Sequence, residues 1–241
     1  ELSRPYEMID MVTTPDGSLV AMVHCNNCTS DLNAWVNIFK EYQELMGIPV
    51  DMNEIFSKLY NNALNGDADC GGLISYNYFS GEPVTGLAEG RPMFIRSAND
   101  RFNLANFMRA NLYASVGVLK IGNDILFNEE KIKVDRITGH GGLFKTKGVG
   151  QRILAAAINS PISVMETAGE GGAWGIALLG SYLVNNDKKQ SLADFLDEKV
   201  FAGYEGFEVS PTAEDVAGFN KYIETYKACL PVEEAAVRLK K

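Results

Sequence analysis

The second half of the chain carries the pattern that most constrains its fold. A short strand-like run, a glycine-rich loop and a helix-like run of small and apolar residues occur there twice. In the first unit, 134–158, "VDRIT" leads through "GHGGLFKTKG" into "VGQRILAAAIN". In the second, 162–185, "ISVMET" leads through "AGEGG" into "AWGIALLGSYLVN". Strands alternating with helices predict a layered α/β domain, a mixed sheet flanked by helices. In open sheets of this kind ligands lie beyond the carboxyl ends of the strands. Glycine at those ends can let backbone N–H groups reach an anion at the positive end of the following helix. It can equally let that helix pack closely. Neither loop matches a standard phosphate-binding motif. "GHGGLFKTKG" lacks the glycine–lysine order of a P-loop, and "GEGGAWG" is a near miss for G-x-G-x-x-G. Taken alone, the pattern leaves both readings open.

The first half supplies helices and short strands. "EMIDMV" and "LVAMVHC" flank Pro15-Asp16-Gly17 and predict a hairpin. In "SDLNAWVNIFKEYQEL", residues Leu32, Trp35, Val36, Phe39 and Leu45 fall near helical spacing, and Gly47 and Pro49 end the helix. Asp51 and Glu54 predict a capping box for a second helix from Met52 to about Leu64. "LISYNYF" reads as a strand, "SGEPVTGLAEGRP" as a long loop and "MFIR" as a short strand. A long helix is predicted from Asn99 to about Lys120, interrupted by Gly122-Asn123-Asp124. After the two glycine units come a helix over 191–201, a strand in "EGFEVS", a helix in "TAEDVAGFNKYIETYKAC" and a separate final helix from Val232.

With 241 residues, 46% apolar and 22% charged, the chain can bury a substantial core. The net charge of -9 argues against a non-specific grip on nucleic acid, which needs a basic face. No apolar run reaches the ~18 residues of a membrane span. The N-terminus lacks a signal-peptide pattern and an initiator methionine, so the expectation is a cytoplasmic protein of which this is an internal fragment. Four cysteines are too few for a disulfide scaffold and read as reduced thiols.

Most chemistry-bearing residues have an ordinary explanation. "HCNNC" holds one C-x-x-C beside His24, but a structural zinc needs a second pair. Buried thiols at a strand end are the expectation. Asn27-Cys28-Thr29 matches a glycosylation sequon with no secretory signal behind it. Its neighbouring amides, Asn26 and Asn27, can bond backbone or a ligand at a strand end. His140 in the first glycine loop reads as a solvent-exposed histidine, because no nucleophile pattern accompanies it. Glu166 and Glu170 suit a helix N-terminus. Asp67 and Asp69 read as turn residues, and Lys145 and Lys147 as solvated lysines within reach of a phosphate.

The segment from Val134 to Leu183, "VDRITGHGGLFKTKGVGQRILAAAINSPISVMETAGEGGAWGIALLGSYL", resembles the nucleotide-binding segment of the FGGY family of carbohydrate kinases. "GGLISYNYFSGEPVTGLAEGRPMFI", "RFNLANFMRANLYAS" and "CNNCTSDLNAW" resemble further segments of that family's C-terminal domain, in the right order. The style of "VHCNNCTSDLNAW" is most similar to bacterial xylulose kinases. The resemblance implies an actin-like, ribonuclease H-like ATPase fold. It implies a kinase that uses ATP and Mg²⁺ to phosphorylate a pentulose hydroxyl, D-xylulose first, with ribulose or glycerol as alternatives. An actin-like ATPase or a non-catalytic assembly module remains open as another class. By the same resemblance Gly139, Gly141 and Gly142 lie against the nucleotide, with Asn26 and Asn27 near the phosphates or the cleft floor. Gly169 to Gly175 let the next helix pack beneath. Many relatives turn an Asn or Ser toward adenine a few residues after the paired glycines; here that register holds Thr146 and Lys147. No catalytic residue and no metal ligand is expected in this chain. The catalytic aspartate, the first phosphate loop and most of the sugar pocket are expected upstream of Glu1. The family's habit of pairing through this domain implies a homodimer.

Overall fold

The computed structural model describes residues 2–165, 171–185, 190–203 and 206–239. Glu166, Gly169 and Glu170, singled out above, lie outside the described residues. The predicted hairpin forms: β1 (Ile9–Thr13) pairs antiparallel with β2 (Leu19–Val23) across the turn at Gly17. Helices α1 (Ser30–Leu45) and α2 (Met52–Ala63) follow. The carboxylate of Asp51 accepts from the backbone N–H groups of Asn53 and Glu54, which caps α2. The reciprocal half of the box is not made, because Glu54 reaches forward to Lys58 at 2.7 Å. Next come β3 (Ile74–Tyr76) and β4 (Met93–Ile95), an antiparallel pair, and then α3 (Leu104–Asp124).

Helix α3 is the axis of the molecule. Every residue from Asn106 to Val118 is buried, and the helix packs against α1, α2, α4 and β3. The predicted break at Gly122-Asn123-Asp124 does not occur. The helix runs through it and continues as a π-helical turn over Ile125–Glu129. Gly122 has a different purpose: a Cβ there would meet Val23 Cγ1 at 2.3 Å, so the glycine lets the hairpin lie against α3.

The first glycine unit folds as β5 (Ile137–Gly139), loop and α4 (Val149–Ile158). The second begins with β6 (Ile162–Val164), and its helix is α5 (Gly171–Asn185). Strand β6 is central in a mixed three-stranded sheet, parallel to β5 and antiparallel to β7 (Phe207–Val209). The helix predicted over 191–201 divides into one α-helical turn, α6 (Leu192–Phe195), and a π-helical turn.

The chain closes with α7 (Ala213–Val237), a single helix where two were predicted. Pro231 removes one backbone donor, a defect of about 3 kcal/mol in a free helix. Tertiary bonds hold the last turns in line. Glu233, fully buried, accepts from the Arg91 backbone N–H at 2.6 Å, and the Arg91 guanidinium donates to the Leu239 carbonyl at 2.9 Å.

Helices α3, α4 and α7 are joined by one carboxylate. Asp215, 2% exposed, accepts from Arg109 of α3 at 2.5 Å and from Arg152 of α4 at 2.7 and 3.1 Å. It also accepts from the Thr212 hydroxyl, whose oxygen in turn caps α7 by accepting from the Asp215 backbone N–H. Burial alone would raise its pKa, but the bonds from Arg152, Thr212 and Arg109 hold it down at about 2. Around this knot lies an aromatic core in which Tyr113 packs on Phe219 and Tyr222, and Tyr76 on Tyr226.

Removing one member of a buried ion cluster strands the others, at a cost of about 3–5 kcal/mol. Asp215→Ala is expected to lose that much in urea denaturation. The folded pKa lies below the unfolded value, so the stabilisation is present above pH 3.8 and lost as the pH falls toward about 2. Acid titration of the wild type should show that loss, and the same titration of Asp215→Asn should lack it.

Candidate functional site

The loop between β5 and α4 is built from glycines with different tasks. Gly139 ends the strand, and a Cβ there would meet the Phe144 ring at 2.6 Å. Its missing side chain therefore makes room for packing. Gly141 has φ +103°, a conformation that L side chains rarely adopt, and a Cβ on it or on Gly142 would meet nothing within 4 Å. Those two positions leave main chain bare to open space. A tight turn over Gly142–Phe144 follows, and Gly148 donates its N–H to the Gln151 side chain at 2.9 Å as α4 begins.

Facing this loop across a groove of about 570 Å³ is helix α2. Asn53, Phe56, Ser57, Tyr60 and Asn61 line one wall, with Thr29 and Asn33 of the α1 entry beside them. Gly142, Lys145, Thr146 and Lys147 line the other. Among the described residues the lining carries two lysines and no carboxylate. The positive end of α4 adds to a field that favours an anion on the loop side. Lys147 also rests its Nζ over the Phe207 ring, 4.7 Å from the centroid. On the α2 side, burial pushes the Tyr60 phenol up to about 12, with a smaller contribution from Cys28, so it stays a neutral hydroxyl.

Of the residues singled out from sequence, the groove gathers Gly142, Thr146 and Lys147, together with Lys145. Asn26 and Asn27 lie elsewhere. Their polar atoms are spent on the loop after β3: Asn26 Nδ2 donates to the Gly81 carbonyl at 2.8 Å, and Asn27 Oδ1 accepts from the N–H groups of Phe79 and Ser80. The backbone N–H groups of both asparagines donate to Glu82 Oε2 at 3.0 and 3.2 Å, and the carboxylate is fully buried. His140 is exposed, as expected. Buried thiols were expected in "HCNNC", but Cys28 is exposed and Cys25 half-buried, because the turn spends its amides rather than its thiols on the interior. Burial, then Glu82, pushes the Cys25 thiol up to about 12. Among the described residues no group of three His, Cys, Asp or Glu side chains could hold a metal ion. No helix among them is long and apolar enough to cross a membrane.

Sequence reasoning missed the α2 wall. Asn53, Ser57 and Asn61 recur every fourth residue, a polar stripe beside Phe56 and Tyr60. Only the fold shows that this exposed stripe lines the same groove as the glycine loop.

Residues 1–184 match the C-terminal domain of the FGGY family of carbohydrate kinases, and the chain belongs to that family. Several solved structures share its fold, among them the three that follow. Xylulose kinase from Lactobacillus acidophilus, with ligand bound, is 16% identical, with a TM-score of 0.67 over 97% of this chain and 45% of its own. Xylulose kinase from Rhodospirillum rubrum is 17% identical, with a TM-score of 0.65 over 96% of this chain and 44% of its own. Plasmodium falciparum glycerol kinase, solved with ADP, is 19% identical, with a TM-score of 0.52 over 76% and 34%. The chain thus spans less than half the length of these enzymes. A search of curated proteins finds no significant match.

Two substitutions separate strain from space in the loop. Gly141→Ala forces an L residue to φ +103° and should cost about 1–2 kcal/mol in chemical denaturation. Gly142→Ala adds a methyl to open space without that conformation and should leave stability within about 0.5 kcal/mol of wild type.

Proposed function

We propose that the chain is the ATP-binding half of a sugar kinase of actin-like, ribonuclease H-like architecture. The whole enzyme would transfer the γ-phosphate of ATP to a pentulose hydroxyl, with D-xylulose the first candidate. The observation that carries this reading is the groove, lined by bare main chain at Gly142, next to Gly141 in the chain, and by Lys145 and Lys147. A triphosphate needs that combination: backbone donors that approach closely, and cations to offset its charge. Family membership and the activities of the structural neighbours support the reading.

Each part of the chain then has a role. Gly141 and Gly142 let the phosphates lie on the backbone. Lys145 and Lys147 offset their charge, and Thr146 offers a hydroxyl. Gly139 supports the bend from below through Phe144. Asn26 and Asn27 act at one remove, by fixing the loop over Ser80–Glu82. Mg²⁺ arriving with the nucleotide would supply positive charge to the transferring group, and no residue of this chain is assigned to hold it. In keeping with the family resemblance, we assign the base that accepts the sugar proton to a part of the enzyme outside this chain.

Titration of this chain with ATP by calorimetry should show binding, and Gly142→Val, which fills the bare space, should weaken it about tenfold or more, ~1.4 kcal/mol. The chain alone should not phosphorylate D-xylulose. Turnover by this chain would refute the assignment of the base, and lack of ATP binding would refute the nucleotide reading.

A further inference from the structure

We propose that helix α2, not the glycine loop, reads the nucleotide's base, and that Asn61 and Ser57 select adenine over 6-oxo purines. The inference rests on the nucleotide reading of the groove.

The two walls differ in chemistry. The loop wall presents bare backbone, a hydroxyl and two lysine ammonium groups, which suit phosphate. The α2 wall presents an aromatic edge and a polar edge side by side. Phe56 and Tyr60 form the first, their rings perpendicular with centroids 5.6 Å apart. Asn53, Ser57 and Asn61 form the second. A planar heterocycle needs both, an apolar surface to lie on and a few polar groups to fix its edge.

The hydrogen bonding of α2 sets the polarity of that edge. Asn61 Nδ2 donates to the Ser57 backbone carbonyl at 2.7 Å, inside the helix. The other N–H of the same amide points to the Ser57 hydroxyl oxygen at 3.5 Å, so both donors turn back onto the helix and Oδ1, which only accepts, faces outward. An acceptor pairs with an exocyclic amino group and repels a keto oxygen. Ser57 Oγ lies one turn earlier, 3.5 Å from Asn61 Nδ2, and its hydroxyl can donate to the unprotonated ring nitrogen beside that amino group. Adenine offers this pair, an amino donor next to a ring acceptor. Hypoxanthine and guanine offer the reverse, a keto acceptor next to a ring N–H. Lysines on the far wall cannot impose the preference, since an ammonium only donates.

The test compares ATP, inosine triphosphate and inorganic tripolyphosphate in competition against a fluorescent ATP analogue on this chain. Wild type should bind ATP about tenfold or more tightly than inosine triphosphate, ~1.4 kcal/mol. Asn61→Ala should bring the two nucleotides within about twofold of each other and leave tripolyphosphate unchanged. Ser57→Ala should narrow the gap in the same direction, which keeps the proposal testable if Asn61→Ala misfolds. Lys58→Ala, on the same helix but paired with Glu54 outside the groove, should keep the wild-type ratio. A wild type indifferent to the 6-substituent, or an undiminished preference in Asn61→Ala or Ser57→Ala, overturns the inference while nucleotide binding stands. Failure of all three ligands to compete removes the nucleotide reading and this inference with it.

Discussion

The site depends on a carboxylate far from the groove. Asp215 has left water almost completely, which is costly unless its charge is matched. Arg109 and Arg152 match it from two different helices, and Thr212 fixes it from its own. The bonds form only when α3, α4 and α7 occupy one relative placement, so the cluster selects that placement more than it adds stability. Helix α4 carries the glycine loop at its N-terminal end. The position of the bare backbone at Gly141 and Gly142 is thus inherited from a charge cluster on another part of the same helix.

On the proposed nucleotide reading, the two walls of the groove would divide the work. The loop side would act through main chain and charge, which suit an anion whatever is attached to it. The α2 side would act through a stripe of amides and rings, which suit shape and hydrogen-bonding direction. Both walls rest on α3, through α2 and α4, so their separation is set by the buried core and not by surface loops. Recognition would then sit on packed elements, where a small error in one side chain is not amplified by the backbone.

The alternation of strand, glycine loop and helix was legible because periodicity and glycine act locally. The hairpin at Gly17, the cap at Asp51 and the strand–helix order from β5 to β6 all followed from it. Three features were not legible, for physical reasons. Gly122 looks like a helix breaker until the approach of Val23 is known. Pro231 looks like a helix end until Glu233 is seen holding Arg91. Arg109, Arg152 and Asp215 are unremarkable charges in sequence and become a unit only through packing. The family resemblance singled out the paired glycines, which local rules left open between a ligand site and close packing. The tasks of Gly139 and of Asn26 and Asn27 needed the side chains around them.

One consequence follows from the origin of the two walls. The α2 wall comes early in the chain and the loop wall late, and among the described residues no strand pairs the two regions directly. A molecule lodged between them touches both and so behaves as a non-covalent cross-link between distant stretches of polypeptide. Whatever occupies the groove also tightens the fold, and its departure loosens the very surfaces that held it.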